Sequence, residues 1–289
     1  MDIWYLLPGF ASRSKHAKSN GTVNPGRAAN TPESIVRSGK MDERVYVGAD
    51  GCPGGWVCVS IAAEDNWSVR LVATNAIATI ATSATMMLID IPIGLVDSNC
   101  GQRSCDREAR RALGRPRGSS VFPVPARATL QAQYFEQALA INRRVTGRGI
   151  SKQSWLITPR IRIVDDLLQA LPRLRGVLRE SHPEVCFWAL NGAQAMRHNK
   201  KTAEGKSERM ALLRRFFPAA EAVYSQARER YRRDAVAPDD IIDSLVLAVS
   251  AWFGAGRYRT LPEGPSTDSA GLAMEVVYAA PGRRSENAR

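Results

Sequence analysis

"RVYVGADGCPGGWVCVSIAAEDNWSVRLVAT", Arg44 to Thr74, decides the fold. Its apolar runs "VYVGA", "WVCVSIA" and "VRLVAT" have the length and composition of strands, and Gly, Pro, Asp and Asn part them as turn residues do. Connections this short cannot cross over, so the spacing predicts an antiparallel meander. A helix-sized segment then leads to "MMLIDIPIGL", Met86 to Leu95, a fourth strand whose longer connection lets it lie parallel to the first.

Beyond Leu95 the periodicity becomes helical. "SCDREARRALG" reads as a basic amphipathic helix ending at Gly114, with further helices over Thr129–Val145 and Pro159–Leu174. A fifth strand is expected at "PEVCFWAL", followed by helices over Glu204–Phe217 and Ala219–Arg233, a helix opening in "APDDIIDSLVLAVSAWF" and a last apolar run, "LAMEVVYAA". The pattern predicts an α/β fold: a mixed five-stranded sheet flanked by helices, with a helical insertion over about residues 100–175 after the fourth strand.

At 289 residues and 44% hydrophobic content the chain can bury a substantial core. No apolar run approaches the roughly 20 residues needed to cross a bilayer, so a soluble protein is expected. Five scattered cysteines do not form a disulfide framework, which points to a reducing cytoplasm, and the C-x4-C pair Cys100 and Cys105 lacks the partners of a zinc site. Residues 1–40 lack apolar periodicity, carry six basic against two acidic residues, and read as a disordered extension preceding a folded unit over 41–289. Net charge +12 favours polyanionic partners as well as solubility.

Four carboxylates stand out. Pro238 opens a helix, and Asp239 and Asp240 there complement its dipole, but Asp243 lies on the face of Asp240 directly before the run Leu245–Leu247. Like charges on one partly buried face repel, and a cation between them removes the penalty. Asp50 and Asp90 each follow an apolar strand run, where an Asx turn is the structural alternative. If those strands are parallel neighbours, both acids emerge at one sheet edge, and a helix bearing Asp240 and Asp243 closes a third side. This outlines a two-metal site for Mg²⁺ or Mn²⁺, whose ions activate water and stabilise the leaving oxygen in phosphodiester cleavage.

From Val45 onward the chain resembles the domain-of-unknown-function family 429, described as predicted nucleases of the RNase H fold. The motifs are "GADGCPGGWV", "IDIPIGL", "RSCDREARRALGRPRGSSVFPVP", "ITPRIRIVDDLL", "ESHPEVCFWALNG", "KKTAEGKSERMALL" and "DDIIDSLVLAVSA", covering most of Val45 to Ala251. The resemblance implies an RNase H-like sheet and a nuclease acting on nucleic acid. Wider relatives include Holliday-junction resolvases, with an acid on the first and fourth strands and two spaced i, i+3 on a late helix; Asp50, Asp90, Asp240 and Asp243 match in order. Resolvases imply a homodimer and usually carry Glu at the second position. Within "HPEVCF", Glu184 is a candidate further ligand or general base, and His182 a candidate for positioning water.

Arg103, Arg107, Arg110 and Arg111 gather toward one side of the basic helix as a strip for a phosphate backbone or as a solvated face, and Arg127, Lys200 and Lys201, inside the motifs above, are further candidates for phosphate contact or for structural ion pairs. Two other functions compete with the nuclease: a nucleic-acid or nucleotide-binding module without turnover, and an ATP-handling protein of the actin and sugar-kinase type, whose phosphate loop "DGCPGG" superficially resembles.

Overall fold

The turn residues of the meander act as their chemistry demands. In the computed structural model, which describes residues 44–97 and 101–281, β1 (Tyr46–Cys52) turns through Pro53 and Gly54 into β2 (Gly55–Ile61), which pairs onward with β3 (Trp67–Val72). Gly55 has φ 132°, and a Cβ there would stand 2.2 Å from the Val72 carbonyl oxygen, so only glycine fits the turn. The short helix α1 (Ile77–Ala81) then carries the chain to β4 (Met86–Ile89). Residues 1–40 and Cys100 lie outside the described residues.

The insertion comprises α2 (Ser104–Arg117), α3 (Phe135–Thr146), α4 (Lys152–Leu156) and α5 (Thr158–Ala170). Helical dihedrals in α2 break at Gly114, where φ is 59°. The fifth strand, β5 (Leu178–Glu180), precedes the segment assigned to it from sequence. "PEVCFWAL" is instead helix α6 (Pro183–Leu190). An apolar run buried on all sides reads alike as strand or helix. Here Pro183 at the first turn and His182, whose Nδ1 accepts the Glu184 N–H at 3.2 Å, decide for the helix.

After α6 come α7 (Ala203–Phe216), α8 (Ala220–Arg230) and α9 (Pro238–Gly254), then the two-stranded ribbon of β6 (Arg259–Leu261) and β7 (Val276–Tyr278). The main sheet has the order β3-β2-β1-β4-β5. β1 and β2 are antiparallel, as are β2 and β3, whereas β4 runs parallel to both β1 and β5.

Alternation along the strands divides the core into two layers. Tyr46, Val57, Val59, Met86 and Leu88 face one side, with apolar residues of α2, α6, α7, α8 and α9. Val47, Ala49, Trp56, Met87 and Ile89 face the other, against Ile77 of α1 and Ile161 and Leu168 of α5. Helix α9 crosses β1 at its point of closest approach, Gly48, and is apolar on nearly every side because it is the buried element of its layer. No helix of the described residues is long and apolar enough to cross a membrane.

Candidate functional site

Parallel pairing of β1 with β4 brings the two strand-end acids together. Ala49 is in register with Ile89, and the Asp90 N–H donates to the Ala49 carbonyl at 3.0 Å. Counting by twos from Tyr46 and Met86, which face α9, places Asp50 and Asp90 on that same side. Asp50 is buried, and its Oδ1 accepts the Gly51 N–H at 2.8 Å.

On α9 the acids divide their labour differently from the sequence expectation. Asp240 Oδ2 accepts the Ala237 N–H at 2.9 Å, so this residue holds the start of its own helix. Asp243 is 1% exposed; its Oδ2 accepts a hydrogen bond from Lys200 Nζ, which also lies 3.7 Å from Asp239 Oδ2. Asp239 and Asp243, spaced i, i+4, are thus the pair that shares a cation. The other Asp243 oxygen, Oδ1, is buried without a hydrogen-bond partner.

Electrostatics tie the four acids into one group. Burial pushes the Asp50 carboxyl well above the ordinary carboxylate range, and the negative charges of Asp90, Asp243 and Asp240 push it further, with Lys200 opposing. Burial likewise raises Asp243 to about 6 against the pull of Lys200, and raises Asp90 against His182 and Lys200. For Lys200, burial favours the neutral amine, but Asp243 and Asp50 outweigh it and keep the ammonium charged.

A carboxyl that is raised on folding holds its proton in the folded chain after the unfolded chain has released it, so its contribution to stability is full below the unfolded value and is lost as pH rises through the folded one. Asp243, raised from 3.8 to about 6, and Glu180, raised from 4.5 to about 7 by burial, set the window. In EDTA the thermal midpoint is therefore expected to be lower at pH 7.5 than at pH 5.5; an equal or higher midpoint at pH 7.5 would contradict this charge arrangement.

Asp90, Asp239 and Asp243 open on a cleft of about 520 Å³, also lined by His182, Asn199, Lys201 and Arg117, among others, while Asp50 lies buried behind it. Glu184 also borders it, but its Oε1 is paired at 2.5 Å with the fully buried Arg209 of α7, leaving Oε2 unpartnered. The arginine strip is not formed. Arg103 is 3% exposed and bonded to Asp106 and Glu180, because it sits at the N-terminal cap of α2 where that helix meets the sheet. Arg110 is half-buried, its Nε donating to the Val121 carbonyl at 2.8 Å, while Arg107 and Arg111 are exposed. Arg127 is enclosed by Asp97, Asp165 and Asp268. Lys201 is exposed at the cleft, and Lys200 serves the acids rather than a phosphate.

Pairing of Lys200 and of Glu184 with opposite charges was open to sequence reasoning, but the partners were not: Lys200 meets Asp239 and Asp243, and Glu184 meets Arg209 of α7 rather than a residue of the insertion, since none of these adjoins its partner in the chain. The i, i+4 spacing of Asp239 and Asp243 was a legible signal. The supposed phosphate loop offers little to a nucleotide, because the Gly54 N–H donates to the Ala235 carbonyl at 3.0 Å.

The donors suit a hard divalent ion: they are all carboxylate oxygens, the charges of Asp90 and Asp243 raise the Asp50 carboxyl and that of Asp90 raises Asp243, and a buried Asp243 oxygen lacks a partner. Asp50, Asp90 and Asp243 would hold it. Among the described residues, however, no three His, Cys, Asp or Glu side chains enclose an ion position as they stand. The Lys200 ammonium supplies the positive charge instead.

A family model described as "Protein of unknown function (DUF429)" matches residues 48–267. No curated protein and no solved structure matches the chain.

Proposed function

The chain belongs to the DUF429 family, and on that premise we propose a metal-dependent nuclease of RNase H-like fold, hydrolysing phosphodiester bonds of DNA or RNA with Mg²⁺ or Mn²⁺ at Asp50, Asp90 and Asp243. One observation carries the reading: acids from β1, β4 and α9, far apart in sequence, lie within electrostatic reach of one another at one end of the sheet. The mixed sheet of order β3-β2-β1-β4-β5, a three-strand meander extended by the parallel strands β4 and β5, supports that reading.

Bound there, divalent ions would ionise a water and stabilise the leaving oxygen. The chain's own groups do the rest. Lys201 at the cleft attracts the phosphate backbone, and His182, whose ring lies between the Glu184 N–H and the Ser120 carbonyl, sets the wall of the cleft beside Asp90. Glu184, held by Arg209, supports the floor of the cleft, and Asp240 fixes the first turn of α9 so that Asp243 keeps its place.

The test is a panel of end-labelled single-stranded, duplex and branched DNA and RNA incubated with Mn²⁺. Cleavage of at least one substrate is expected, and Asp50→Asn should slow it by at least about a hundredfold, more than the loss of a group that merely orients a ligand. Undiminished cleavage by Asp50→Asn would overturn the assignment. Binding without cleavage across the panel would make the protein a nucleic-acid-binding module.

A further inference from the structure

Lys200 differs from the other cations that meet buried acids in this protein. Arg103, Arg127, Arg179 and Arg209 each serve such partners, several through two nitrogens at once, and among the described residues Lys200 is the only lysine in an ion pair. A guanidinium fork suits a permanent bond, whereas an ammonium is a point charge on a flexible stem. Its environment is also two-sided. The Lys200 side chain is 35% exposed although its partner Asp243 is almost wholly buried.

Lys200 lines both the acidic cleft and an adjoining groove of about 460 Å³ formed with Lys201, Lys206, Tyr224 and Arg233. Asp239, which lines both and lies 3.7 Å from the Lys200 Nζ, offsets the groove's other cations and gives the ammonium an acid to stay with once it leaves Asp243. Meanwhile Asp243 Oδ1 stays unpartnered beside it, and no three acids close around an ion as they stand.

We infer that Lys200 is a built-in counter-cation that competes with the divalent ion for Asp243, so that ion entry and Lys200 departure into the neighbouring groove are one exchange. Two positive charges cannot share the Asp243 carboxylate without repelling, and the tethered one is the weaker competitor only when the ion is abundant. Lys200 is in this sense a positioning residue: it acts on the ion through the carboxylate. It also keeps the acids compensated while the ion is away, which an uncharged side chain cannot do.

The inference rests on the metal-dependent reading, and the experiment separates the two. Mn²⁺ is titrated calorimetrically at one pH into the full chain, its Lys200→Met variant and its Lys200→Arg variant. Removing the competitor should tighten Mn²⁺ binding about tenfold or more, and the fork of arginine, which leaves less readily, should weaken it by about tenfold. A purely structural lysine would give the opposite result for methionine, since a disturbed Asp243 binds worse, and near-wild-type affinity for arginine.

Binding in Lys200→Met equal to or weaker than wild type overturns the exchange and leaves the metal site standing. Mn²⁺ bound by Lys200→Met and not by wild type supports the exchange in its strongest form. Heat from none of the three chains overturns the metal site and the exchange together. If Lys200→Met does not fold, Lys200→Arg decides alone: affinity equal to or above wild type overturns the exchange.

Discussion

Gly48→Ala should unfold the site from its centre. A Cβ at Gly48 would stand 2.1 Å from the Ala248 nitrogen, 2.1 Å from the Ser244 carbonyl oxygen and 2.8 Å from the Leu247 carbonyl carbon, all of them backbone of α9. Flexible side chains yield to such a contact; a helix backbone yields only by moving bodily. Overpacking of a core commonly costs about 1–3 kcal/mol, and a clash with main chain on a fully buried helix belongs at or above the top of that range. At about 2–4 °C per kcal/mol for a folded unit of this size, the thermal midpoint should fall by roughly 6–12 °C.

The same displacement reaches the candidate site. Asp50 lies two residues after Gly48 on the same side of β1, and Asp243 lies one residue before Ser244, so retreat of α9 separates the acids. Mn²⁺ binding should weaken together with stability. Gly176→Ala is the control, since a Cβ there meets nothing within 4 Å. A Gly48→Ala midpoint within about 2 °C of that control would mean that α9 is not anchored at this contact.

Gly48 also shows where sequence reading succeeds and where it ends. The meander, the parallel β4 and the sheet-edge placement of Asp50 and Asp90 followed from local signals: turn residues, period-two alternation and connection length. "PEVCFWAL" failed because burial on every side erases the period, leaving only the cap at His182 and Pro183 to tell helix from strand. The arginines show a different limit. Helical spacing says which residues share a side but not what covers that side, and Arg103 is covered by the end of β5 while Arg127 meets acids up to 141 residues away. Lys200 read as either a phosphate contact or a structural pair, and the structure takes the second course; its partner, Asp243, lies 43 residues away and could not be named from spacing alone.

Arg103→Met should cost about 3–5 kcal/mol, the range for breaking a buried charge cluster by removing one member. Arg103 Nη1 and Nη2 reach the two Glu180 oxygens at 2.6 and 2.7 Å, Nη2 also reaches Asp106 at 2.6 Å, and Nη1 donates to the Ile93 and Gly94 carbonyls at 2.9 and 3.2 Å. Glu180 in turn accepts the Ile93 N–H at 2.6 Å. One guanidinium thus joins β5, the start of α2 and the segment that follows Asp90. Methionine fills much of the volume but leaves two buried carboxyls unpaired. Burial already raises Glu180 to about 7 while Arg103 holds it down; without Arg103 it rises further and takes up a proton. Protonation relieves the cost, so the sign is fixed: the destabilisation should be smaller at pH 5 and larger at pH 8. Urea unfolding should show a lower midpoint with an unchanged slope. Adding Asp106→Asn and Glu180→Gln should recover more than half of the loss, because the orphaned charges go with them. A loss below about 1 kcal/mol at pH 8, or one that does not depend on pH, would show that shape rather than charge pairing holds this corner.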